Sequence, residues 1–348
     1  MEDYHHHNFD PLQYPPFNHS LTSNRTTHFL SEVFVDDWAE GSLAKAVTVS
    51  IITCIIILFN VLIIGTLSSS VHAHSMIGYF MLSLAGADLL TGVLLTPISI
   101  YPALTGSWPY GRALCKLTAY LEVTLWAVVV YTVGWMAVDR YLAIRKPSRY
   151  DAIQTKIRCQ CWVVFTWVTA IFLCSPTLFA HNRVTYIAQV NLCILDLNYM
   201  LAYSITLLIL ILGPTICTLI YCYYHVWKTM SELKRDIKEQ EKEALTSTTE
   251  NLKNPTHRLS FIIIVTFALG WFPWFILLTY EKAAHTTANV PYLHFACLWF
   301  GICGCCWKFP IYCCISRRFR RCLGHFFRSL CVKCRARKHV EDDSASVD

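Results

Sequence analysis

The sequence predicts an all-α membrane protein: a seven-transmembrane helix bundle followed by a short amphipathic eighth helix on the cytoplasmic surface. Three observations lead there. Of the 348 residues, 55% are hydrophobic and only 15% are charged, against about 25% charged in a soluble domain. The apolar residues gather into seven runs, about 46–68, 77–102, 113–144, 159–180, 199–228, 256–282 and 291–314, each long enough to cross the hydrocarbon core. The basic residues cluster between alternate runs: Arg145 to Arg158, Lys228 to Lys242 and Arg317 to Lys338. Lysine and arginine mark cytoplasmic loops. The N-terminus is then outside and the C-terminus inside the cell membrane, which requires an odd number of spans. Topology accounts for the net charge of +6, so the basic clusters do not call for a nucleic-acid partner.

In chain order, residues 1–44 read as an extracellular tail, expected to be disordered, with acids at Glu32, Asp36, Asp37 and Glu40. Asn18-His19-Ser20 and Asn24-Arg25-Thr26 are glycosylation acceptors on that side. His5-His6-His7 lacks the preorganised ligand set that a metal site needs, and no metal or cofactor is expected. No cleavable signal precedes the first run, so that run is itself the insertion signal.

The bundle occupies 45–315. Pro97, Pro176, Pro214, Pro273 and Pro310 fall inside the runs, where each removes a helix hydrogen bond and kinks the chain. The charged loop from Ser231 to Leu252 can prolong the fifth helix. Ser316 to Leu330 alternates arginines with Phe319, Phe326 and Phe327, as a helix lying on membrane lipid does. Cys322, Cys331 and Cys334 beside it are palmitoylation candidates. Residues 331–348 form a cytoplasmic tail. The chain holds 17 cysteines, an odd number, and most lie in apolar runs as small hydrophobes.

The third run organises the chain. Glu122, Trp126, Val129, Val133, Met136 and Arg140 follow at steps of four and three and share one helix face. Glu122 and Arg140 are then roughly 27 Å apart, about the thickness of the hydrocarbon core. An acid inside an apolar span faces protein or a water-filled cavity. One stripe therefore joins a buried carboxylate near one surface to Asp139-Arg140-Tyr141 near the other.

These features together resemble the rhodopsin-like (class A) G-protein-coupled receptors, over all seven spans. Asn60 lies in the first span, Ser83-Leu84-Ala85-Gly86-Ala87-Asp88 in the second, and Asp139-Arg140-Tyr141 with Pro147 at the end of the third. Trp167 and Pro176 match the fourth, Pro214 the fifth, and Phe267, Trp271 and Pro273 the sixth. The resemblance implies a small-molecule extracellular ligand, a heterotrimeric G protein inside, a Cys115–Cys193 disulfide and coupling through Asp139, Arg140 and Tyr141. It does not imply an enzyme, and the sequence has no HExxH and no paired intramembrane aspartates.

The outer half is most similar to the biogenic-amine receptors. Thr105-Gly106-Ser107-Trp108-Pro109-Tyr110-Gly111 reads like their first outer loop, and Glu122 stands where they carry an ammonium-binding aspartate. Trp126, Thr206, Trp271, Trp274, Phe275 and Trp299 complete the implied ligand site. Two readings of Glu122 stand: it anchors a cationic ligand, or it pairs internally with a histidine or lysine of the outer pocket. Thr206 and Leu210, where catecholamine receptors carry serines, argue against a catecholamine ligand.

The inner half departs from the family. With Tyr312 as the seventh-span motif tyrosine, Lys308 stands at the asparagine position; a frame anchored on Pro310 instead puts Phe309 there and Cys313 at the tyrosine. Lys253 replaces an acid at the base of the sixth span. The family often holds sodium beside the second-span aspartate, but Val129, Gly304 and Cys305 replace its partners here. Either Lys308 pairs with Asp88 in place of that ion, or it snorkels to the inner surface and leaves Asp88 protonated. The functional alternatives are an orphan or peptide-activated receptor with basal activity and, in another class, a transporter or lipid scramblase. The lack of an internal repeat weakens the transporter.

Overall fold

The structure is a computed structural model that describes residues 26–69, 76–179, 184–195, 201–239, 256–284, 286, 290 and 292–345. The chain divides into two compact units, Met1–Gly41 and Ser42–Asp348. Among the described residues, six helices are each long and apolar enough to cross a membrane, and a bent pair, Leu293–Ile302 with Gly304–Ile315, makes a seventh span.

Helix α1 runs Thr26–Ser68. The tail expected to be disordered to residue 44 is thus helical from Thr26, because no proline or glycine interrupts residues 26–40. Asn18 and Asn24 lie outside the described residues. Helix α2, Met76–Leu90, continues through a π turn, Thr91–Leu95, and a 3₁₀ turn, Pro97–Ser99, into α3, Ile100–Thr105. The widened turn is built around Pro97, which has no N–H to offer. Thr96 N reaches back to Thr91 O (3.1 Å), and its hydroxyl donates to Gly92 O (3.2 Å). A Cβ on Gly92 would stand 2.6 Å from Ile56 Cγ2, so the glycine permits a close α1–α2 crossing.

Helix α4, Gly111–Arg145, is the axis of the bundle. It packs against α2, α6 (Lys156–Cys174), α8 (Leu201–Glu239) and α9 (Thr256–Ala284). Its inner face, including Val128, Val133 and Met136, is buried among Leu84, Ile211 and Ile263. Apolar contact alone gives little drive between helices in lipid, so hydrogen bonds and close packing hold them. Trp167 Nε1 donates to Ser83 Oγ (3.1 Å), tying α6 to α2. Asn60 Nδ2 donates to Ile56 O (2.9 Å) and to Cys305 O (3.3 Å). Pro214 deprives the Leu210 carbonyl of its helical donor, and the Tyr131 hydroxyl supplies one from α4 at 3.1 Å.

Two short helices begin at prolines: α5, Pro147–Ile153, and α7, Pro176–Phe179. Strands β1, Val184–Ile187, and β2, Leu192–Leu195, pair antiparallel with Tyr186 opposite Cys193. The seventh span is α10, Leu293–Ile302, and α11, Gly304–Ile315, bent by 43°. Helix α12, Arg317–Ala345, is longer than the expected 316–330, and the tail expected from 331 continues it. No proline or glycine follows Gly324 to stop it. The Phe326 ring sits where a Cβ on Gly65 would be, 2.7 Å from its Cζ, so α12 folds back onto α1.

Candidate functional site

Two cavities share one wall inside the bundle. The larger, about 170 Å³, is lined by Glu122, Trp126, Ser204, Leu207, Trp274 and Phe275, with Trp271 at its base. The smaller, about 50 Å³, is lined by Asp88, Glu122, Leu192, Trp299, Cys305 and Lys308, again with Trp126 and Trp271. Trp126 stands 6.2 Å from Trp271 edge to face and 5.9 Å from Phe275, ring centroid to centroid. Among the described residues, Glu122 has no hydrogen-bond or ionic partner. The indole N–H of Trp126, one helical turn on, is also buried and unpartnered. An acid among aromatic faces and orphan polar groups is an arrangement that attracts a cation.

Deeper in the bundle, Lys308 Nζ on α11 donates to Asp88 Oδ2 on α2 at 2.5 Å. The two side chains are 5% and 1% exposed. Tyr312, one turn after Lys308, is fully buried and packs on Phe319 of α12 at 5.4 Å. Lys308 and Tyr312 thus share the inward face, in the frame that makes Tyr312 the motif tyrosine.

At the far end of α4, Arg140 donates to Asp139 Oδ2 through Nε at 3.0 Å and through Nη2. The other oxygen of Asp139 accepts from the Tyr150 hydroxyl at 2.8 Å and from Gln154 Nε2 at 3.2 Å. Burial and the adjacent Asp139 carboxylate push the Tyr150 hydroxyl pKa up, which keeps it a donor. Tyr141 packs on Tyr221 (5.6 Å) and His225 (6.0 Å). Lys253 lies outside the described residues.

Seven spans around this axis are matched by a family model for the seven-transmembrane receptors of the rhodopsin family, over residues 59–311. The chain belongs to that family. It is 26% identical over 329 residues to the mouse (Mus musculus) substance-P receptor, covering 90% of this chain and 78% of the relative. It is 24% identical over 315 residues to the dog (Canis lupus familiaris) histamine H2 receptor, covering 86% and 83%. It is also 24% identical over 245 residues to the Xenopus laevis melatonin receptor type 1C, covering 70% and 57%. The protein is a multi-pass membrane receptor of the G-protein-coupled class, and the transporter alternative gives way to that membership.

Most of the ligand residues named from the sequence of this receptor surround the two cavities: Glu122, Trp126 and Trp271 line both, Trp274 and Phe275 the larger, and Trp299 the smaller. Thr206 does not. Its side chain is exposed and donates to Ala202 O (2.8 Å). The inward face of α8 carries Ser204, Leu207 and Ile211, and a residue two positions from Ser204 points to the opposite side. Ser204 is therefore the hydroxyl that α8 presents. The sequence reading missed it, along with Leu192, Ile194 and Leu195 from the hairpin and the Tyr150–Gln154 clasp. The run Ile205–Leu212 is apolar on every side apart from Thr206, so the sequence carried no period that picks out Ser204.

Cys115 and Cys193 are joined, with Cα atoms 5.4 Å apart. Cys331 is exposed and Cys322 half-buried on α12; the side chain of Cys334 is outside the described residues.

Proposed function

We propose that this receptor binds a small cationic ligand from the extracellular side, with its ammonium on Glu122, and activates a heterotrimeric G protein at the Arg140 end. The observation that carries the reading is the carboxyl of Glu122, without a partner among the described residues, in a cavity walled by Trp126, Trp271, Trp274 and Phe275. A single polar side chain, Ser204, faces the ligand from α8, which suits an aromatic or aliphatic body with few hydroxyls. The relatives are named for substance P, histamine and melatonin and do not choose among ligand classes; the acid and aromatic walls of the pocket support a cation. The N-terminal tail is outside and α12 lies on the inner leaflet, with Cys322, Cys331 and Cys334 as acylation sites and Asn18 and Asn24 as glycosylation sites.

Signalling is a population shift. Ligand favours a state in which α9 moves away from α4, and Arg140 leaves Asp139 to meet the G protein. The test is a screen of protonated monoamines, neutral lipids and peptides for thermal stabilisation of purified receptor. A ligand at a hundred times its Kd stabilises by about 2.7 kcal/mol. Glu122→Gln then weakens the amine found by roughly 2 kcal/mol or more through loss of a desolvated charge partner. Stabilisation by peptides alone, or an amine indifferent to Glu122→Gln, rejects the reading.

A further inference from the structure

The hairpin after the fourth span does not merely cover the bundle; its turn is buried in it. Val190 N and Asn191 N both donate to Ile187 O, at 3.1 and 2.9 Å. Asn191 takes φ 59°, a left-handed conformation that asparagine tolerates. Val190, Asn191, Leu192 and Cys193 are 0%, 1%, 4% and 0% exposed. Val190 and Leu192 belong to one apolar cluster with Ile52, Trp274, Leu298 and Trp299. Loops usually run over the surface because buried backbone groups need partners. Here α10 provides one: Trp299 Nε1 donates to Val190 O at 3.0 Å. Leu192 lines the smaller cavity with Glu122 and Lys308. Three residues along from Val190, Cys193 is bonded to Cys115 of α4. Val190–Cys193 is thus a strap from the third span to the seventh, with Leu192 set against the smaller cavity and Ile194 and Leu195, just beyond it, against the larger.

We infer that the turn Val190–Asn191–Leu192 is a resident ligand of this receptor: a tethered occupant of the cavity mouth that stabilises the state in which Arg140 is held by Asp139. The inference rests on the proposed role of Arg140 release in activation. Strap and clasp are present together in one structure, and a contact made in only one of two states favours that state by its differential energy. The tether gives the turn a high effective concentration, so it occupies its site without a diffusible ligand. The hold is incomplete, because Asn191 Nδ2 is buried without a partner among the described residues, at an energetic cost. A diffusible agonist therefore acts by displacing the turn.

The test uses full-length receptor in nanodiscs with a panel of heterotrimeric G proteins and no ligand. Trp299→Phe keeps the ring and deletes the N–H; Leu192→Ala removes the deeper contact; Asp139→Asn opens the clasp without touching the turn. Hydrogen exchange of residues 184–195 reports whether the turn has loosened, and mass mapping checks that Cys115–Cys193 is intact. Both turn variants are expected to lose amide protection at 188–192 and to raise ligand-free nucleotide exchange roughly fivefold or more. Loosened turns with unchanged or reduced exchange, while Asp139→Asn raises it, overturn the resident-ligand role alone. So does unchanged protection in both turn variants. Failure of Asp139→Asn to raise exchange overturns the Arg140 reading and this inference with it.

Discussion

Lys308 on α11 and Asp88 on α2 meet at 2.5 Å with almost no exposure of either side chain, so the second and seventh spans are joined by an ion pair the chain carries within itself. Removing one partner of such a pair leaves an uncompensated buried charge and costs about 3–5 kcal/mol. Asp88→Asn and Lys308→Asn are each expected to lower thermal stability and surface yield, and the double variant to be less damaged than either. The ammonium stands where the family resemblance implies a sodium ion, so exchanging sodium for potassium chloride leaves the melting temperature of the unmodified receptor unchanged. A sodium-specific shift in melting temperature would contradict the pair as the site's cation.

The Asp139 clasp gives a graded series. Tyr150→Phe removes one donor to Asp139 and leaves Gln154 and Arg140 in place; Asp139→Asn removes the charge that holds Arg140. Ligand-free nucleotide exchange is expected to rise in the order unmodified, Tyr150→Phe, Asp139→Asn. Arg140→Ala is expected to abolish exchange while ligand-induced thermal stabilisation persists. Equal basal exchange in all of these proteins is the result against it.

The Cys115–Cys193 bond anchors the strap to α4. Cys115→Ser and Cys193→Ser are each expected to lose most surface expression, since losing a native disulfide typically costs about 2–5 kcal/mol in small secreted domains. Peptide mapping of non-reduced protein checks the pairing, and recovery of both cysteines as free thiols is the opposing outcome.

Tyr131 and Pro214 form a coupled pair of another kind. Tyr131→Phe leaves the Leu210 carbonyl, on the outer side of α8, without a donor where lipid offers none, at about 1–3 kcal/mol for an unsatisfied polar group. Pro214→Ala restores a helical N–H to that carbonyl, so the loss in Tyr131→Phe is expected to shrink in the Tyr131→Phe, Pro214→Ala background. Thermal unfolding of the four proteins measures this, and strict additivity refutes the coupling.

What the sequence made legible follows from where the physics is local. Seven spans can be read because lipid demands unbroken apolar length, and their bounds match the helices to within a few residues, except that α1 begins at Thr26, α8 runs on to Glu239 and α12 to Ala345. The inward stripe from Glu122 to Arg140 is a matter of helical period alone. Thr206 failed because a position carried over from the catecholamine receptors does not fix which side of α8 faces inward here, and the run Ile205–Leu212, apolar apart from Thr206, has no period to decide it. The depth of Val190 and Leu192 was not legible, since a loop's return into a bundle depends on a distant donor, Trp299. Tyr150 and Gln154 escaped notice for the same reason. They lie 11 and 15 residues beyond Asp139, and only the fold of α5 brings them back.

The π turn at Thr91–Leu95 acts as an insertion absorbed without a loop. It takes up one residue more than an α-helical turn, so each residue beyond it lies about 100° and about 1.5 Å short of its place in an unbroken helix. Ser99, Pro102 and Ala103 are buried in that setting. Deleting Val93 would close the π turn to an ordinary α-helical turn and leave these small residues facing inward, with Tyr101 and Leu104 still exposed. The outer and inner halves of the second span are therefore out of phase by one residue, and a segment exchanged with a relative lacking the turn has to be cut on one side of it.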